Sequence, residues 1–151
     1  MFPVFSQAKT AAKKTKSIQN LKYLSTGMII YTSENNDRFP ISASWEQEVK
    51  RFVTKPDAFD PILGEPGEGV KFMMNVELSN YSMSALKSPS ETALLFLGAS
   101  TAHSPQGSIS DVFDLNGKAL IGNADASCRW MDVNEIPFRF QELPPDPSSI
   151  Q

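Results

Sequence analysis

Apolar positions along the chain change period, and the changes mark out its elements. From Ile18, the residues Leu21, Leu24, Met28 and Tyr31 recur at steps of three and four, which places them on one helix face. Nothing from Ser6 to about Glu34 breaks a helix except Gly27. That glycine costs about 1 kcal/mol relative to alanine without stopping a helix held by packing. Pro3 suits the opening turn, because its fixed φ is helical and its missing N–H has no partner there in any case. At about 1.5 Å per residue, roughly thirty residues form a rod of about 45 Å. A small domain does not need that length to cover its own core. Asn35, Asn36 and Asp37 then compete with helical backbone bonds, and Phe39 before Pro40 forces an extended exit.

The rod divides into two halves. Residues 6–17 carry Lys9, Lys13, Lys14 and Lys16 among alanines, threonines and serines, with no large apolar side chain. This half has nothing to bury in a core, so it is expected to project or to pack on another molecule. The second half docks on a domain. The chain is accordingly expected to comprise a projecting basic half (1–17), a globular domain (18–143) and a flexible tail (144–151) rich in proline and serine.

Beyond Pro40 the pattern is α+β. Ser44 with Gln47 three residues on matches a capping box, and Trp45, Val49, Phe52 and Val53 share one face of a short second helix that ends before Pro56. Residues 57–69 are turn-rich and read as a loop, and 70–77 follow as a strand. The continuous apolar run at 92–97 is short enough for a central strand. A polar loop at 100–107 precedes three more candidate strands at 109–115, 118–122 and 127–133. The last two pair as a hairpin through Ala124-Asp125-Ala126. The expected architecture is one long helix packed on an antiparallel sheet, with a short second helix.

Composition narrows the function classes. The 40% hydrophobic and 21% charged content of these 151 residues suits one folded domain plus an extension, and argues against disorder. Cys128 is the only cysteine, so no intramolecular disulfide forms, and it is expected to pack as a small buried group. No apolar run of about eighteen residues is present, so the chain as given does not span a membrane. The first 33 residues hold five lysines and no acid, leaving −8 on the other 118 within a net charge of −3. A positive rod carrying a negative head can meet acidic neighbours or anionic lipid. Nucleic acid is a poor partner, since the head repels phosphate and no aromatic residues interleave with the lysines.

No catalytic constellation emerges. His103, the only histidine, lies in a polar loop with no triad around it, and no phosphate loop, zinc spacing or dinucleotide fingerprint is present. Asp111, Asp114 and Asn116 offer oxygens of the type calcium takes, but their spacing is not an EF-hand, and acidic turn residues serve backbone needs.

Residues 17–40, SIQNLKYLSTGMIIYTSENNDRFP, resemble the segment after the membrane anchor in type IV pilin-like proteins and type II secretion pseudopilins. The similarity is greatest to the prepilin-type group with a C-terminal His-x9-Asp-Gly motif. Asn20-Leu21-Lys22, Tyr31, Asp37 and Arg38-Phe39-Pro40 carry it. Trp45, Phe72-Met73-Met74-Asn75, Ser88 to Phe96 and the stretch from Asn116-Gly117 to Arg129-Trp130 extend it through the head. Phe2-Pro3-Val4-Phe5 resembles the last turn of that group's membrane helix. The resemblance implies that Met1 is not the biological start and that a leader and most of a transmembrane helix precede it. It also implies an assembly role for Phe2, Pro3, Phe5, Leu21, Leu24, Met28, Tyr31, Pro40, Trp45, Asn75, Asp125 and Trp130. Asp125, as the motif aspartate, is expected to tie down the hairpin by accepting backbone N–H bonds. Leu115 stands in place of the motif histidine, Ala126 of its glycine, Ser127 of a second histidine, and Asp60-Pro61 of a Cys-Pro pair. Metal and disulfide roles of those positions are therefore not carried over, although major pseudopilins are known for a calcium site in their C-terminal loops.

The function implied is that of a structural filament subunit, without catalysis and without a required cofactor. Its implied partners are other pilin or pseudopilin subunits, an inner-membrane assembly platform and a prepilin peptidase. Its implied location is the bacterial inner membrane and periplasm or a surface filament. The alternative from another class is a binding module presenting loops 57–69 and 98–108 to a glycan or exported protein.

Overall fold

A computed structural model describes residues 3–64, 68–100, 102 and 104–146, with side chains from Ala8 onward. Helix α1 runs from Pro3–Glu34 without interruption. It stops where Asn36 and Asp37 take positive φ, 59° and 63°, a conformation that short polar side chains tolerate. The orphaned carbonyls of its last turn find donors: Asn35 Nδ2 donates to Tyr31 O at 2.8 Å and Asp37 N to Thr32 O at 3.0 Å. Helix α2 is short, Trp45–Val49, and continues as a 3-10 turn through Phe52. The expected capping box does not form. Ser44 Oγ donates to Glu48 Oε2 at 2.8 Å, so the glutamate one residue beyond Gln47 takes the hydroxyl.

Strands β1 (Val70–Asn75), β2 (Ala93–Ala99), β3 (Gln106–Gly107), β4 (Lys118–Asn123) and β5 (Cys128–Asp132) form one sheet in the order β3-β1-β2-β4-β5. The molecule is thus α+β, one long helix with a five-stranded sheet. Three pairings are antiparallel, but β3 runs parallel to β1, which corrects the expected all-antiparallel sheet at this edge. Pro105 fixes that edge, since its carbonyl accepts from both Met74 N (2.9 Å) and Trp45 Nε1 (2.7 Å). The strand expected at 109–115 is also corrected. Ser108 and Asp111 close a capping box around the 3-10 turn Ile109–Asp111, and only Val112 and Leu115 make isolated bridges. Strand β1 ends at Asn75, whose side chain accepts from Glu77 N at 3.1 Å and starts a turn. The 124–126 hairpin joins β4 to β5 as expected.

The sheet is covered on both faces. On one side, Leu21, Leu24 and Met28 of α1 pack with Trp45, Phe72, Leu95, Leu97 and Leu120. On the other, Met73, Phe96, Ile121 and Met131 lie with Ile136 of the 3-10 run Val133–Arg139. Strand β2 is buried on both faces, which its unbroken apolar run requires. Its alternation slips once. Leu94 and Leu95 both join the helix-side core, and the register against β4 shifts between Ala93 and Leu95, as a bulge demands.

Two glycines permit the helix to lie close. A Cβ at Gly122 would stand 3.1 Å from Ser25 Oγ and 3.3 Å from Leu21 Cδ2, so α1 crosses β4 there. A Cβ at Gly27 would stand 2.8 Å from Val53 Cγ2, which explains a glycine inside a helix.

Both expected boundaries move. Trp130 Nε1 donates to Lys14 O at 3.2 Å, and Ser17 is buried with its Oγ bonded to Pro61 O. Docking therefore begins near Lys14, one turn earlier than the 1–17 division. The start of the 144–151 tail is anchored rather than flexible. Tyr81 Oη donates to Pro144 O at 2.6 Å, and Asp146, only 7% exposed, pairs with Arg38 at 3.1 Å and accepts from Ser82 N at 3.1 Å. Residues 147–151 lie outside the described residues.

Candidate functional site

The first candidate surface is the free half of α1. Ala8, Lys9, Ala11, Ala12, Lys13 and Lys16 are exposed, while Thr10 and Lys14 are half-buried. Small residues between lysines give this stretch helix propensity without a face to bury. Among the described residues, none of Lys9, Lys13, Lys14 and Lys16 pairs with a carboxylate. Lys14 Nζ instead lies 4.8 Å from the centroid of the Trp130 ring, a cation–π contact. The half-buried Trp130 thus grips the helix at Lys14 through both its N–H and its ring. Phe2 lies outside the described residues; Pro3 and Phe5 belong to α1, with side chains outside them.

The other residues singled out from the sequence lie in the architecture of the head. Leu21, Leu24, Met28 and Trp45 are fully buried, and Pro40 is buried. Tyr31 Oη donates to Glu48 Oε1 at 3.0 Å, and its ring meets Phe52 edge-on at 6.1 Å. Burial, then Glu48, raises the pKa of this phenol, which stays protonated at neutral pH. Asn75 is buried and donates to Ala93 O at 2.9 Å, joining β1 to the start of β2. Asp125 Oδ1 accepts from Ser127 N at 3.0 Å and from the Ser127 hydroxyl, closing the β4–β5 turn in which Ala126 takes φ 73°.

Sequence reasoning missed a clasp at the helix exit. Phe39 N donates to Tyr81 O at 3.0 Å and Met83 N to Asp37 O at 2.8 Å, while the Asp37 carboxylate accepts from Ser84 N at 2.9 Å. Arg38 bridges this pairing to Asp146, 108 residues away. The Asp-Arg-Phe-Pro stretch therefore pins the end of α1 to the 80–84 turn and to the end of the described chain.

The calcium candidates each serve their own turn. Asp111 Oδ2 accepts from Ser108 N at 2.9 Å, Asp114 Oδ1 accepts from Gly117 N at 2.7 Å, and Asn116 holds φ 53° between them. Among the described residues, no group of three or more His, Cys, Asp or Glu is placed to hold a metal ion. A millimolar site in about 1 mM calcium adds roughly 0.4 kcal/mol, so melts in calcium and in chelator are expected to lie within about 2 °C of each other. A stabilisation of about ten degrees, lost in Asp114→Ala, would contradict this reading.

His103 lies outside the described residues. Cys128 is half-buried with its Sγ 3.4 Å from Ser25 Oγ, and burial raises its pKa, so the nucleophilic thiolate is scarce at neutral pH. Loops 57–69 and 98–108 meet at one end of the sheet, where Ser100 N donates to Gly69 O at 3.1 Å. Residues 65–67, 101 and 103 of those loops are outside the described set. No helix among the described residues is long and apolar enough to cross a membrane. Compared with protein-family models, with curated proteins and with solved structures, the chain matches none.

Proposed function

We propose that this chain is a structural subunit of a filament of the type II secretion pseudopilus or type IV pilus class, with a pilin-like head, acting by assembly rather than by catalysis. One observation carries the reading: α1 is a single 32-residue helix of which one face from Lys14 onward packs on the head, while the described side chains before it, from Ala8, are lysines, alanines and threonines lying mostly at the surface. The early turns of such a helix are left available for contacts outside its own domain. The resemblance of residues 17–40 to the segment following the pilin anchor supports the same conclusion.

On this reading, an apolar segment ahead of the described helix sits in the inner membrane before assembly and bundles with its copies at the filament axis. A prepilin peptidase acts on the precursor before that bundling, an inner-membrane platform adds the processed subunits, and the head faces the periplasm or the cell exterior. Other pilin or pseudopilin subunits are the direct partners. Sedimentation and light scattering test the idea. Residues 1–151 alone are expected to stay monomeric, and to polymerise when an apolar helical segment is joined ahead of Pro3. Stable filaments of the present chain in water would contradict the idea that axial packing drives assembly.

A further inference from the structure

A groove of about 530 Å3 lies between α1 and the segment after α2. Gln19, Lys22, Tyr23 and Thr26 form its helical wall, with Phe52, Thr54 and Lys55 opposite. The close approach at Gly27 builds it, since α1 and Val53 come near enough there to set the 52–55 backbone alongside the helix. Its charge is unlike that of the rest of the head. Lys22 and Lys55 are the only ionisable side chains in the lining apart from the Tyr23 phenol, no carboxylate faces them from either wall, and neither forms an ion pair among the described residues.

Tyr23 is 41% exposed, and Lys55 Nζ stands 5.6 Å from its ring centroid. A large, exposed aromatic ring beside the Lys55 ammonium, with the Lys22 side chain in the same lining, offers a flat apolar platform next to positive charge. Gln19, Thr26 and Thr54 add neutral donors and acceptors at the rim. We infer that this groove binds an acidic saccharide: the ring carbons of one sugar stack on Tyr23, its carboxylate lies between Lys22 and Lys55, and its hydroxyls bond the amide and hydroxyls. A nucleic-acid strand fits less well, because strand-binding surfaces line up successive stacking rings along a basic track, whereas this groove has one exposed ring and two cations. The inference stands apart from the filament reading, since it concerns the isolated monomeric head.

NMR titration of the chain with an oligogalacturonate tests it, with an uncharged galacto-oligosaccharide and an oligothymidylate as comparisons. Saturable shifts confined to residues 19–26 and 52–55 are expected with the uronate alone, weakening as salt rises. Tyr23→Ala and the double variant Lys22→Ala, Lys55→Ala are each expected to lower affinity at least about tenfold, while Tyr23→Phe keeps most of it. All three positions are at the surface, so unchanged melting temperatures accompany these losses. Absence of saturable shifts with the uronate overturns the inference. So do equal binding of the neutral sugar, tighter binding of oligothymidylate, and affinity unaffected by Tyr23→Ala.

Discussion

Leu21→Ala and Leu24→Ala are each expected to destabilise the fold by about 2–5 kcal/mol. Both side chains are fully buried, and both belong to the core that joins α1 to the sheet. The spread in such losses reflects how far the surroundings collapse into the space left behind. Collapse is restricted at Leu21. Its Cδ2 would stand 3.3 Å from a Cβ built on Gly122, so backbone already meets side chain at the crossing, and the strand beneath is held on both edges by β2 and β5. Leu21 is therefore expected toward the upper end of the range. Urea melts decide the matter, and losses below about 0.5 kcal/mol at both leucines would mean that this face of the helix does not hold the domain.

Asp146→Ala is expected to cost about 2–4 kcal/mol, a large effect for a residue in a proline-rich terminal stretch. The change strips the Arg38 guanidinium of its carboxylate and leaves Ser82 N–H without its acceptor. Removing one partner of a buried pair costs about 3–5 kcal/mol; here Arg38 is 22% exposed and keeps Asn80 O, which moderates the loss. The exposed pair Lys118–Asp132, 4.0 Å apart with side chains 50% and 45% exposed, provides the contrast, since its disruption is expected to cost under about 0.5 kcal/mol. A double-mutant cycle over Arg38 and Asp146 separates the pair from the packing around it. A coupling near zero would show that Asp146 acts only through Ser82.

The legible parts of this fold are those whose causes are local. The helix ending at Glu34 follows from the steps between Leu21 and Tyr31 and from Asn36 and Asp37, which reach positive φ on their own chemistry. The 124–126 hairpin and the central position of β2 follow in the same way from turn residues and an unbroken apolar run. Contacts between distant segments left no such mark. Nothing near Asp146 in the sequence points to Arg38, and prolines around it read as a loose tail because they exclude regular ladders without excluding anchorage. The back layer was missed for a different reason. Val133 and Ile136 are spaced for a 3-10 helix, three residues per turn, whereas Phe138, between buried Ile136 and half-buried Phe140, is 64% exposed and blurs both the helical and the strand periods. Ser44 illustrates competition, since Glu48 captured the hydroxyl that the cap pattern assigned to the backbone.

Of the candidate surfaces, the free half of α1 was readable because absence of large apolar residues is itself a pattern. Its inner limit was not, because the grip of Trp130 on Lys14 spans 116 residues. The Tyr23 groove was invisible for the same reason. Tyr23 and Lys55 approach each other only because Gly27 lets two segments pack closely.

On the proposed filament reading, the free half of α1 lies against other subunits in the cell. A photoreactive amino acid at Ala12, which is exposed, tests it directly when the protein is produced from its own gene at its own locus. Illumination is expected to give a ladder of adducts that contain two or more copies of the subunit or a related pilin, recovered with the membrane or filament fraction. Protein from that locus that yields no such adducts and stays monomeric away from the membrane would contradict the account.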